Sequence, residues 1–189
     1  KENPATVAWI TIPGTNIDAP EQQYGDNDYY LRRDENGSED YHGCIYADYA
    51  CRMDSSGIDS RNLIFYGHTF TDEDYTGGFE DLHKYRVFEF GQENPYIYVS
   101  LADEKLAYQL FSVWVCDAND DTDCLQADPD EAAFQQILGK AVAGCAFDYG
   151  VDVTTDDHIL TLSTCTADPN SRLLVGSKLI DGGCADVKS

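Results

Sequence analysis

The chain has 189 residues, 42% of them hydrophobic, enough for one compact domain with a core of its own spanning 1–189. Its 12 basic residues face 35 acidic ones, a formal net charge of −23, which argues against nucleic acid or an anionic membrane surface as a partner. The acidic side chains are dispersed, denser at 117–130 and 152–157. A solvated surface accounts for them, and no EF-hand loop pattern points to calcium.

Val7–Ile12 (VAWITI) is apolar and β-branched, ends at the Pro13-Gly14 turn signal, and is followed by a short apolar run at Ile17. Asp26–Leu31 reads as a helical turn or loop. Gly43–Ala47 and Asn62–Tyr66 (NLIFY) read as buried strands, the second leading straight into Gly67-His68. In Phe79–Tyr85 an apolar side chain recurs every three residues, at Phe79, Leu82 and Tyr85, which predicts a short surface helix. Tyr96–Leu101 and Leu106–Val115 are strand-like runs joined by a hairpin connection at Ala102–Lys105.

Pro129–Ala143 predicts the one long helix, with Asp128 as its cap, Pro129 at the first helical position and Glu131 in the first turn. Phe134, Ile137, Leu138 and Ala141 form its apolar stripe, and Gly144 ends it. Ile159–Ser163 and Arg172–Ile180 are the last strands, joined by the turn-rich segment Thr166–Ser171. About seven or eight short strands with a single substantial helix favour a mainly β barrel or sandwich over a βαβ architecture.

The cysteines are Cys44, Cys51, Cys116, Cys124, Cys145, Cys165 and Cys184, an odd set that leaves at least one thiol unpaired within the chain. There is no CxxC pair and only four histidines, so no zinc-like pattern. Cys44/Cys51 and Cys116/Cys124 are close enough in sequence to bridge short loops, with reduced thiols as the alternative.

Three residues stand where chemistry needs them. Cys165 closes an apolar-to-hydroxylated strand and precedes the turn Asp168-Pro169-Asn170, a place that brings a thiol to solvent. His68 closes NLIFYGH and opens a polar loop, and the glycine before it permits close backbone approach or an unusual dihedral. Arg172 starts the final strand seven positions after Cys165. If the two strands are neighbours, its guanidinium returns towards the thiol and can hold an oxyanion. His42, His83 and His158 are weaker candidates, in a polar stretch, among charged helix residues and ahead of a strand.

Thr161-Leu162-Ser163-Thr164-Cys165 followed by Arg172-Leu173-Leu174-Val175 resembles the TLxTC…R signature of sortases, and Tyr66-Gly67-His68 resembles that family's histidine motif. Thr6–Asp18, Asn27–Leu31, Gly43–Asp48 and the long helix between the later strands are similar to class B members in particular. The resemblance runs from about Asn3 to Ile180. It implies a closed sortase-type β-barrel of about eight strands, with N-terminal helical turns and one long helix between later strands. It also implies a cysteine transpeptidase at the outer face of a Gram-positive membrane, with the N-terminal anchor outside this sequence.

By the same resemblance, Cys165 attacks the carbonyl of a threonine in a C-terminal sorting motif and His68 moves the protons. Arg172, with a backbone N–H after Thr164 or Cys165, holds the developing charge. Asn27, Leu31, Ser163 and Thr164 are the implied substrate contacts. The donor would be a surface protein or pilin. The acceptor would be an amine of a peptidoglycan precursor or of a pilin, and no metal or organic cofactor is required. Asp72, Asp74 and Asp168 are carboxylates placed to orient His68, although Asp168 before Pro169 also reads as a turn initiator. A peptidase that passes the acyl group to water, or an inactive surface-binding module, are the alternatives.

Overall fold

The computed structural model describes residues 3–70, 77–119 and 124–180, so Asp72, Asp74 and Cys184 lie outside the described residues. The strands are β1 (Thr6–Thr11), β2 (Asp18–Gln22), β3 (Tyr46–Ala47), β4 (Met53–Asp54), β5 (Gly57–Ile58), β6 (Asn62–Tyr66), β7 (Tyr96–Ser100), β8 (Lys105–Asp117), β9 (Ile159–Cys165) and β10 (Ser171–Leu179). Among the described residues there are also two α-helices, α1 (Phe88–Glu93) and α2 (Glu131–Gly144), and two 3₁₀ helices, Tyr29–Arg32 and Glu80–Arg86.

Eight strands close a barrel in the order β1-β2-β3-β6-β9-β10-β8-β7, while β4 and β5 form a separate small hairpin. Closure pairs every barrel strand on both sides, so the barrel itself presents no open edge among the described residues. This is the mainly β barrel expected, with α2 between β8 and β9 as the long helix.

Alternation within β9 and β10 sorts their side chains between two cores. Leu160, Leu162, Leu173 and Val175 point into the barrel. Ile159 and Leu174, on the opposite faces, pack outside it with Phe111, Trp114 and the Phe134, Leu138 and Ala141 stripe of α2. Burial of each large side chain contributes about 1.5–3 kcal/mol, so α2 is held mainly by this face. A strand covered on both sides has no solvated face, which is why NLIFY and ILTL read as nearly continuous apolar runs.

Several local expectations are corrected. The helix starts later than the Asp128-Pro129 signal: Asp130 is its N-cap and accepts from the Ala133 N–H at 2.8 Å. Asp128 instead pairs with Arg52 and accepts from the Arg61 N–H, so it ties the β5–β6 connection to the chain ahead of α2. The strand expected over Gly43–Ala47 shrinks to Tyr46–Ala47. Gly43 has φ 65°, and a Cβ there would lie 2.7 Å from the Leu31 and Tyr30 carbonyl oxygens, so the chain turns tightly before it pairs.

The segment predicted as a short surface helix is the 3₁₀ helix Glu80–Arg86, which exposes Lys84 and Arg86 and buries its apolar edge. Phe79, Leu82 and Tyr85 are fully buried, matching three residues per turn with one wholly apolar edge. Cys44 and Cys51 are not bridged. The Cys51 sulfur accepts from the Ile64 N–H at 3.3 Å, tied to β6 rather than to another thiol. Cys116 and Cys124 both pack in the outer cluster.

One fully buried polar side chain of the barrel strands is a carboxylate. Glu21 in β2 is fully buried, and neither carboxylate oxygen has a hydrogen-bond partner. Desolvation pushes its carboxyl well above the ordinary carboxylate range. The unfolded chain ionises near 4.5 while the fold keeps the proton, so stability is full below that pH and falls as pH rises. Glu21→Met should therefore raise stability by about 1–3 kcal/mol. In urea unfolding its advantage over wild type should widen between pH 4 and pH 8, whereas a constant gap would show that no carboxyl titration is involved.

Candidate active site

The barrel topology sets three distant residues in one row. β6 runs parallel to β9 in the register Leu63↔Leu160, Phe65↔Leu162 and Tyr66↔Ser163. Carrying that register two residues past Tyr66 brings His68 level with Cys165, on strands about 4.8 Å apart. On the other side, antiparallel β10 sets Arg172 directly opposite Cys165. Opposed residues project to one face with Cβ atoms about 5 Å apart. Leu162 and Leu173 point inward, so this face is the outer surface of the barrel.

The row is tied together at its centre. The Gly67 N–H donates to the Ser163 carbonyl at 3.2 Å, extending the parallel ladder. Thr164, buried beside the thiol, donates its single hydroxyl proton to the Gly67 carbonyl at 2.7 Å, so the Thr69 hydroxyl 2.8 Å away must donate to Thr164. Gly67 is a close-approach glycine: its φ is not positive, and a Cβ would lie 2.7 Å from the Phe79 ring. A larger residue there would push the His68 strand end off the Phe79 platform.

Cys165, His68 and Arg172 line one cavity of about 620 Å³, which Asn27, Leu31, Ser163 and Thr164 also line. All three members of the row are half-buried. The guanidinium of Arg172 donates from Nη1 to the carbonyls of Pro169 and Ser171, both at 3.1 Å, which keeps it against its own turn while Nε and Nη2 remain as further donors. Asp168 uses Oδ1 to accept from the Asn170 N–H at 2.9 Å, the work of a turn initiator rather than of a partner to the imidazole.

His68 donates from Nε2 to the Leu31 carbonyl at 3.1 Å. Burial, the main cause, holds its imidazole below the ordinary histidine range. The Leu31 carbonyl opposes this, and the cations Arg32 and Arg172, with His42, add to it. A lowered value in the fold means stability present above pH 6.5 is lost as acid protonates the ring. In an NMR titration His68 should have its midpoint below 6.5, and Arg172→Gln should move it upward. A midpoint indifferent to that substitution would mean the two charges do not share a site.

The opposite wall is built on a residue that the sequence did not single out. Asp48, 5% exposed, accepts from Asn27 Nδ2 and from the Tyr66 hydroxyl, each at 2.8 Å, and from the Ala50 N–H. Burial, followed by the Asp48 charge, keeps the Tyr66 phenol far above its usual range and so always a donor. Asn27 Oδ1 in turn accepts from the Tyr49 N–H at 2.9 Å. Both ends of its amide therefore brace the wall it lines. The signals for Asp48 were a lone carboxylate ending the run Cys44-Ile45-Tyr46-Ala47 and its place at the end of the class B-like segment Gly43–Asp48.

The remaining histidines have structural partners. The His158 Nδ1 donates to the Ser60 carbonyl at 2.9 Å, and His42 lies 3.3 Å from Asp40 and packs edge-on against Phe70. Among the described residues no group of three or more His, Cys, Asp or Glu side chains is gathered to hold a metal ion.

Comparison with known proteins identifies the family. The family model described as the Sortase domain matches residues 10–180. Sortase B of Listeria monocytogenes is 30% identical over 184 residues, covering 95% of this chain and 72% of the relative. The structure of Clostridium perfringens sortase B superposes with a TM-score of 0.85 at 28% identity, covering 95% of this chain and 96% of that one. A Staphylococcus aureus sortase B–substrate complex gives a TM-score of 0.83 at 27% identity, covering 94% and 81% of the two chains. This chain belongs to the sortase family, as a cysteine transpeptidase of the class B kind.

Proposed function

We propose that this protein cleaves a surface protein or pilin after the threonine of a short C-terminal sorting motif and joins the new acyl end to an amine. The amine would belong to a peptidoglycan precursor or to a pilin. The observation that carries this reading is the row His68–Cys165–Arg172, set across three adjacent strands and open to one cavity.

In the first half-reaction the Cys165 thiolate adds to the threonine carbonyl carbon, and the carbonyl oxygen takes the negative charge. Arg172, with a backbone N–H next to Cys165, stabilises that charge as it develops. Collapse breaks the C–N bond, and the protonated imidazole of His68 gives its proton to the departing amine, leaving a thioester. In the second half-reaction the incoming amine adds to the thioester and passes a proton to His68. The C–S bond then breaks, releasing the new amide and restoring the thiolate and imidazolium. No metal is needed at any step of this scheme.

The substrate segment would lie in the cavity between the Asp48–Asn27 wall and the Ser163–Cys165 strand end, with Leu31 offering an apolar contact beside His68. The site of action would be the outer face of a Gram-positive membrane. No helix of the described residues is long and apolar enough to cross a membrane.

A library of threonine-containing pentapeptide motifs, presented with oligoglycine and with diamino acids, tests the proposal. Amide products confined to one motif class support transfer. Release of free acid alone, whatever amine is supplied, would instead make the protein a peptidase.

A further inference from the structure

His83 stands outside the catalytic row, on the 3₁₀ helix Glu80–Arg86, yet its Nε2 lies 3.0 Å from the backbone carbonyl oxygen of Cys165. A carbonyl oxygen only accepts, so Nε2 carries the proton and donates it. The helix is a rigid base for this contact, because Phe79, Leu82 and Tyr85 on either side of His83 are fully buried.

That carbonyl belongs to the peptide joining Cys165 to Thr166, where β9 leaves the sheet. Among the described residues no peptide bond is cis, and a trans peptide is a plane in which C=O and N–H point in opposite directions. Fixing the oxygen on the His83 side therefore turns the Thr166 N–H to the other side. The side chains flanking this peptide are already tied down, Thr164 to the Gly67 carbonyl and Thr166 to the Asp168 carbonyl at 2.9 Å. His83 supplies the hold on the peptide plane itself.

We propose that His83 is a positioning residue for the nucleophile, donating to the Cys165 carbonyl and thereby aiming the Thr166 N–H at the substrate oxygen on which negative charge develops. The inference rests on the reading of Cys165 as the nucleophile. It assigns His83 no proton transfer. The role is also independent of charge, since an imidazolium keeps the same Nε2 proton. Accepting a hydrogen bond at the carbonyl further polarises the N–H of the same peptide, which strengthens it as a donor.

The test uses three variants. His83→Ala should lower kcat about ten-fold with KM nearly unchanged, the pattern of an interaction made in the transition state. His83→Gln, whose amide nitrogen can reach the same carbonyl, should recover most of that loss and keep the wild-type pH profile. His83→Phe, which fills the space without a donor, should remain as slow as the alanine variant. In proton–nitrogen correlation spectra the Thr166 amide should shift in the Ala and Phe variants and return in Gln.

Wild-type kcat in His83→Ala, a Gln variant no better than Phe, or a Thr166 resonance unmoved in all three would each overturn the proposal. Turnover surviving Cys165→Ala would instead sink the underlying reading. A Cys165-dependent enzyme indifferent to His83 would sink this inference alone.

Discussion

Cys165→Ala should abolish turnover of any sorting-motif peptide, by roughly 10³-fold or more, while leaving the fold intact. In the proposed scheme the thiol makes the covalent bond, while imidazole and guanidinium serve as proton carrier and donor. Cys165 ends β9 half-exposed at the cavity, so losing its sulfur opens no sealed void, and stability should stay within about 0.5 kcal/mol of wild type. Steady-state cleavage assays with thermal unfolding check both halves. Residual activity near wild type would remove Cys165 from the chemistry, and a large fall in unfolding temperature would make the loss uninformative about mechanism.

Arg172→Ala should cost about 10²–10³-fold in kcat, and Arg172→Lys should recover little of it. The pairing with Cys165 fixes where the side chain starts, and the bonds from Nη1 to Pro169 and Ser171 fix how the planar fork is turned. A lysine supplies charge but cannot hold the turn carbonyls and present a second, oriented nitrogen at once. KM should change little, because the charge to be stabilised is absent from the bound substrate. A Lys variant with near-normal kcat would reduce the role of Arg172 to simple electrostatics.

Much of this architecture was legible because local patterns and tertiary demands agree. The NLIFY run, the ILTLSTC run and the Phe134–Ala141 stripe each had one reasonable reading, and each appears where the pattern put it. The cysteine–arginine juxtaposition was conditional on β9 and β10 being neighbours, and the tight turn between them fulfils that condition. The level of His68 could not be read from spacing, since it depends on a parallel pairing between strands almost a hundred residues apart.

What escaped the sequence was set by tertiary context. The three-residue period of Phe79, Leu82 and Tyr85 was visible, but not that the barrel covers this edge and so carries His83 to the Cys165 carbonyl. Asp128 and Pro129 present a complete helix-start signal, yet Asp130 takes the cap because Asp128 is needed by Arg52 and the Arg61 N–H. Asp48 and Glu21 are both buried carboxylates in apolar surroundings. One gains three donors and braces a wall, and the other gains none and has its carboxyl pushed up by burial. Nothing in the flanking residues distinguishes them.

Intact-mass measurement of the wild-type enzyme mixed with a cleavable motif peptide, followed by fragment mapping and an amine chase, puts the greatest weight on a single result. The structure predicts a thioester adduct with the mass of the amino-terminal product, located on Cys165 and discharged as an amide when the amine is added. Product formation with the adduct on another residue, or with no covalent species under conditions that slow its discharge, would contradict the idea that these three strand ends form one reaction centre.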